Sequence, residues 1–245
     1  MKLLSIGNSF SQDAHRWLND VAKANGIDLY NVNLYIGGCS LETHHRLMNG
    51  DEAHYDNEIK AVPTGKISLK EALQNEKWDI ITFQQQSGAS GRAETYQPYL
   101  NELSKFVRAY QPTAKFYIHQ TWSYDPTFVF DAFEHYNNSF ELMHQKLTEC
   151  YLSAANSINA ELLPVGEVIN TLRTTTNEFS VKEIKDGARL GNIGARIEQY
   201  AKKHKLGVVE ELVGHGIGKS LHEEPDVPNY GKYNTGIILK TGMTL

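Results

Sequence analysis

Cysteine is scarce: Cys39 and Cys150 are the only two thiols in 245 residues. Two cysteines so far apart make no disulfide framework, and a reducing, cytoplasmic location is the expectation. Basic excess is absent as well, with 24 Lys and Arg against 29 Asp and Glu and a net charge of −5. That balance excludes the electrostatic footprint of a nucleic-acid binder. Long apolar runs are missing too. No window approaches the roughly 18 apolar residues of a membrane helix, and the opening Met1-Lys2-Leu3-Leu4-Ser5-Ile6 is too short for a secretion signal. Neither nucleic acid nor membrane is therefore expected as a partner. What is present is an ordinary globular mixture, 40% apolar, 22% charged and 10% aromatic, enough for one large domain or two small ones.

Charge is spread unevenly. Residues 1–186 carry 16 Lys and Arg against 23 Asp and Glu, whereas residues 187–245 carry 8 against 6. The secondary-structure signals change near the same place. Residues 2–6 read as a strand running into the turn Gly7-Asn8-Ser9, with Ser9 or Ser11 capping a helix whose apolar face is Ala14, Leu18, Val21 and Ala22. Residues 28–36 and 115–119 read as strands, and the unbroken apolar run at 78–83 as a strand buried on both faces. Helices are expected at 96–110, through 130–159, and at 167–173 after a short strand at 161–165. Alternating strands and helices predict the α/β class, a three-layer α/β/α sandwich around a parallel sheet. A further helix is expected at 192–204, with Ile193, Ile197, Tyr200 and Ala201 on one face, then a strand-like stretch at 207–213. The turn-rich remainder breaks the alternation and reads as β structure of another architecture.

Ligands bind at the carboxyl ends of strands in an open α/β sheet. Ser9 would stand at that edge, where a helix N-terminus can stabilise a developing oxyanion. Taken alone it is more readily a helix cap. Gly37-Gly38 and Gln84-Gln85-Gln86-Ser87, however, end the next two strands on the same edge. Together with Gly7-Asn8-Ser9-Phe10-Ser11, the strings at 33–44 (NLYIGGCSLETH), 94–100 (ETYQPYL), 118–124 (IHQTWSY) and 162–173 (LLPVGEVINTLR) resemble the SGNH (GDSL-like) hydrolases, in a bacterial branch known as a domain of unknown function.

The resemblance covers about residues 1–187 and implies an SGNH, flavodoxin-like fold. It also implies Ser9 as nucleophile, with an oxyanion hole made by the N–H groups of Ser9 and Gly38 and a side-chain amide. Gln86 is the choice for that amide, with Gln84 and Gln85 left open. His119 and Trp122 would line the substrate pocket, although His119 also reads as a hydrogen-bonded histidine at a strand end. Asp186 matches the aspartate of the superfamily's closing Asp-x-x-His, but Arg189 stands where the general-base histidine belongs. A guanidinium cannot take the serine proton, and losing such a base costs on the order of 10⁶ in kcat in a protease. The substrate class implied is an acetyl or carbohydrate ester, without a cofactor.

From about residue 188 the resemblance changes. Residues 188–231 and 236–245 are similar to type I methionine aminopeptidase. By that likeness His215 matches a ligand of a two-metal centre and His222 a substrate contact. The remaining ligands have no counterparts here, so a divalent metal is expected only if the aminopeptidase reading holds. The chain thus reads as a hybrid, with residues 1–187 hydrolase-like and 188–245 an aminopeptidase-like appendage whose strands lack their native partners. Helix 192–204 could pack on the first domain, and poor order or self-association is expected over 207–245. Cys39, His44 and His45 lie close together, but no second cluster accompanies them, which favours a structural role. The leading expectation is an ester hydrolase impaired by its missing base. The alternatives are a catalytically dead ligand-binding module and, least favoured, a metalloaminopeptidase.

Overall fold

A computed structural model describes residues 1–124, 131–174, 187–203, 206–210, 213–216, 223–240 and 243, except for the side chains at 172 and 174. Along the chain come β1 (Lys2–Gly7), α1 (Ser9–Ala24), β2 (Tyr30–Tyr35), α2 (Leu41–Leu47), β3 (Tyr55–Ile59), β4 (Val62–Ile67), α3 (Leu69–Asn75) and β5 (Ile80–Phe83). These are followed by α4 (Tyr99–Tyr110), β6 (Lys115–His119), the short α5 (Asp131–Glu134), α6 (Phe140–Ser157), β7 (Glu161–Leu163) and α7 (Val165–Thr174). The last three elements are α8 (Leu190–Lys203), β8 (Val213–Gly216) and β9 (Glu223–Pro228).

Seven strands form one sheet in the order β4-β3-β2-β1-β5-β6-β7. The pairings of β2, β1, β5, β6 and β7 are parallel, whereas β3 and β4 join antiparallel at one edge. This is the α/β class expected from the alternation of elements. The chain divides into two compact units, Met1–Asn170 and Thr171–Leu245, whereas the sequence places the division at 187/188.

The central strands of the first unit alternate in chemistry. Leu4 and Ile6, Val32 and Leu34, Ile81 and Phe83, and Phe116 and Ile118 are buried in one apolar cluster with Leu41, Leu69, Leu100, Val107 and Leu147 from the helices on that face. Each large side chain buried there contributes roughly 1.5–3 kcal/mol. The intervening residues Ser5, Asn31, Asn33, Thr82 and His119 are equally buried but polar. They face α1, and hydrogen bonds replace apolar contacts. The Asn31 amide donates to His15 Nδ1 at 2.8 Å, so the proton sits on Nε2, which meets Ser5 Oγ at 2.8 Å. Thr82 Oγ1 donates to the same Ser5 oxygen at 2.9 Å. Ser11 Oγ reaches Asn33 Oδ1 at 2.8 Å, and the Asn33 amide donates to the buried Glu58 carboxylate at 2.7 Å.

Two expectations are corrected by this arrangement. Helix α1 is capped by Asn8, whose side chain accepts from Phe10 N, and by neither Ser9 nor Ser11. The buried face of α1 is Ser11, His15 and Ala22, while Ala14 and Val21 are exposed. The run at 78–83 is covered on both sides, but Thr82 gives it a polar face. Apolar periodicity finds the helix but not that it docks through hydrogen bonds.

In the second unit α8 starts at Leu190 and buries Leu190, Gly194, Ala195 and Ala201. Strands β8 and β9 pair antiparallel as a two-stranded sheet. Residues 206–210 form no strand, which corrects the strand-like reading of 207–213 over those positions. The chain at 228–236 lies across α8 closely enough that only glycine fits beneath it. A Cβ on Gly194 would stand 2.3 Å from the Tyr230 carbonyl oxygen. Among the described residues no helix is long and apolar enough to cross a membrane.

Candidate active site

Three loops leave the carboxyl ends of the adjacent strands β2, β1 and β5, and side-chain amides tie them together. Ser9 is exposed and is the first residue of α1, in the turn whose N–H groups lack intrahelical acceptors. Asn8, 1% exposed, holds that turn in place. Its Oδ1 accepts from Phe10 N at 3.2 Å and from Gln84 Nε2, and its Nδ2 donates to Cys39 O at 3.0 Å. Gly38 precedes that carbonyl with φ +62°, a left-handed conformation that favours glycine.

The three glutamines have separate tasks. Gln84 spends one amide N–H on Asn8, and its buried Oε1 has no partner among the described residues. Gln85 is fully buried and satisfies every polar atom of its amide on the protein. Gln86 is half-buried and uses Oε1 to cap the turn at Ala89 N (2.9 Å). Its Nε2 makes no hydrogen bond among the described residues, and Gln86 is the one of the three that is not buried, so its N–H groups are the ones placed to reach a ligand. Sequence reasoning left Gln84 and Gln85 open and missed Asn8 as an organising residue. The asparagine before the serine, itself a good capping residue, was the available signal.

On the β6 side, Trp122 is half-buried and packs edge-to-face on Phe10, the neighbour of Ser9, with ring centroids 4.4 Å apart. Tyr124 OH shares a 2.9 Å hydrogen bond with Ser87 Oγ. His119 ends β6 and is 5% exposed; its Nε2 lacks a partner among the described residues, and burial holds its pKa down at about 4. Cys39, His44 and Tyr55 form a buried group behind the Gly38 loop. The His44 ring stacks on Tyr55, and its Nδ1 lies 3.0 Å from Tyr55 OH and 3.5 Å from Cys39 Sγ. Burial pushes the thiol up to about 12 and the imidazole down to about 3, which leaves both neutral and unreactive.

The remaining sequence-predicted residues belong to the second unit. Asp186 and His222 lie outside the described residues. Arg189 Nη1 donates to Gly236 O at 2.9 Å, and His215 Nδ1 donates to Gly216 O at 3.1 Å. Among the described residues no three His, Cys, Asp or Glu side chains gather as a metal would require.

Residues 2–202 match the domain of unknown function DUF4886, and residues 163–245 match metallopeptidase family M24. The two matches overlap over 163–202, consistent with a chain that joins segments of both. The crystal structure of a DUF4886 family protein from Bacteroides uniformis ATCC 8492 aligns with a TM-score of 0.67 at 29% identity, covering 82% of each chain. A putative SGNH hydrolase from Slackia heliotrinireducens aligns with a TM-score of 0.50 at 23% identity, over 70% of this chain and 82% of that one; the likeness is one of fold. The methionine aminopeptidase of Rickettsia prowazekii (strain Madrid E) is 46% identical over 63 residues, 26% of this chain and 24% of its own. The chain thus spans about a quarter of the length of that curated relative.

Proposed function

The chain belongs to the DUF4886 family, and from that premise we propose that its first unit is an SGNH-type serine ester hydrolase acting on acetyl or other small carbohydrate esters. One observation carries the reading: an exposed serine opens α1 on a turn cross-tied by Asn8 and Gln84 to the Gly38 loop. In the reaction Ser9 Oγ attacks the ester carbonyl carbon. The carbonyl oxygen takes the electron pair and is held by the N–H groups of Ser9 and Gly38 and the free amide of Gln86. Collapse expels the alcohol, and water then releases the acid from the acyl-serine. The half-buried Trp122, packed edge-to-face on Phe10 next to the serine, offers an aromatic ring on which a sugar could stack.

The proton transfer is where this chain is deficient. Position 189, which follows Asp186 at the superfamily's base spacing, holds an arginine whose guanidinium donates to Gly236 O. Turnover is accordingly slow or absent. That same arginine favours a second reading, a module that binds the ester without cleaving it. The M24 likeness of the tail brings no reaction here. That family implies metal ions, and the residues present do not fit them, because among the described residues no three His, Cys, Asp or Glu side chains gather and His215 has no fellow ligands.

The test is p-nitrophenyl acetate hydrolysis by the full chain beside Ser9→Ala and Arg189→His. The expected result is a parent no faster than Ser9→Ala and a Ser9-dependent gain in Arg189→His. A parent already active through Ser9 would show that another residue supplies the base. Three equally inert proteins that still bind a carbohydrate ester would favour the binding module.

A further inference from the structure

We propose that Gln85 is a positioning residue that sets the spacing between the Gly38 loop and the Gln86 amide, the two parts of the oxyanion site that do not belong to α1. The inference rests on the Ser9 hydrolase reading. A single atom makes the link. Gln85 Oε1 accepts from Leu41 N at 3.0 Å and from Gln86 N at 2.8 Å. Leu41 begins α2 three residues after Gly38, and Gln86 carries the free amide, so one oxygen fixes both loops at once. The other end of the same amide prevents it from turning. Nε2 donates to Thr95 O at 2.9 Å and to Thr95 Oγ1 at 3.1 Å. A flipped amide would set its NH₂ against two N–H donors and its oxygen against a carbonyl.

The anchors are themselves held. Thr95 Oγ1 reaches Arg92 O at 2.7 Å. The Gln85 backbone is gripped from both sides by Tyr151 OH, which lies 3.3 Å from its N and 3.3 Å from its O. The Gly38 loop is therefore pinned on either side of Ser40, at Cys39 O by Asn8 and at Leu41 N by Gln85. An apolar isostere would fill the space but leave two N–H groups and a carbonyl without partners, a strong incentive for both loops to shift.

Phenylboronic acid tests this without turnover, because it forms a tetrahedral boronate on a serine hydroxyl, with the proton passing to buffer and a boronate oxygen entering the oxyanion site. Its affinity would be measured by ¹¹B NMR for the full chain, Ser9→Ala, Gln85→Met and Gln85→Glu, with the unfolding temperature of each recorded alongside. We expect binding that Ser9→Ala abolishes and Gln85→Met weakens about tenfold or more. Gln85→Glu separates positioning from packing, and it covers the case in which Gln85→Met does not fold. Ionised at about pH 8, the carboxylate faces the Thr95 carbonyl and the site loosens. Protonated toward about pH 5, its O–H donates to Thr95 O while the other oxygen keeps both N–H groups, so affinity relative to the parent recovers. Gln85→Glu affinity equal to the parent at every pH, or lowered by the same factor throughout, would overturn the positioning role. A parent that binds no better than Ser9→Ala would instead sink the hydrolase reading, and this inference with it.

Discussion

Three imidazoles of the first unit are buried. Desolvation holds His15, His119 and His44 down at about 4, 4 and 3 against an ordinary 6.5. A histidine whose folded value is depressed takes up its proton later in the folded than in the unfolded chain. Stability is therefore complete above about pH 6.5 and falls as pH drops toward 4, by on the order of 3 kcal/mol per ring. Urea midpoints measured from neutral pH downward should fall steeply across that window, and His119→Leu should flatten part of the slope. A profile that His119→Leu leaves unchanged would show that His119 does not contribute to it. Residues were unevenly legible at this scale. Ser9, Gly38 and Gln86 stand out because they end strands in motif-like strings. Gln84 and Gln85 share that string and stay open as candidates, but their roles, like that of Asn8, lie in amide bonds to loops far away in sequence. His15 reads in sequence as an ordinary surface position of an amphipathic helix, and only its partners Ser5 and Asn31 explain its burial.

Elements follow the same division between local and distant causes. β1, β5 and β6 were readable because Leu, Ile and Phe cluster there and turns bound them. The β3–β4 hairpin was not, because its two-residue turn is Lys60-Ala61 instead of Asn-Gly. Both residues have positive φ, 50° and 62°, between the paired Ile59 and Val62. That is the pattern of a type I′ turn, adopted by two side chains that pay for it in backbone strain. Lys60→Asn combined with Ala61→Gly should raise the unfolding free energy by on the order of 1 kcal/mol, read as a higher urea midpoint with unchanged slope. A loss of stability would mean that the strain is offset by contacts of the Lys60 or Ala61 side chain. Helix α1 carries the converse lesson. Its apolar residues Trp17 and Val21 point outward, at 45% and 56% exposure, because the strand residues beneath it are Ser, Asn and Thr, and a polar face selects Ser11 and His15 instead.

For the whole molecule, the change of charge near residue 187 and the change of motif mark a second unit, which begins at 188 by sequence and at Thr171 in the fold. What the sequence could not supply was how such a tail closes on itself. Ala188, Leu190 and Leu239 form its only buried apolar cluster among the described residues, and Leu239 N pairs with Ala188 O at 2.7 Å to fasten the two ends. A core of that size, with a sheet of two strands, is marginal by itself. Leu206, Val213, Tyr233, Ile237 and Ile238 stay exposed around it, and β8 pairs only with β9 among the described residues. On β9, Pro225, Pro228 and three acidic residues discourage pairing, whereas β8 (VGHG) carries neither proline nor acid. The second unit should therefore associate with a second copy through β8 as concentration rises. Sedimentation velocity from micromolar to hundred-micromolar chain should show a growing dimer fraction, and Val213→Lys, which places a charge on that strand, should return it to monomer. A parent that stays monomeric throughout would show that this small core suffices, and that the exposed apolar residues are tolerated singly.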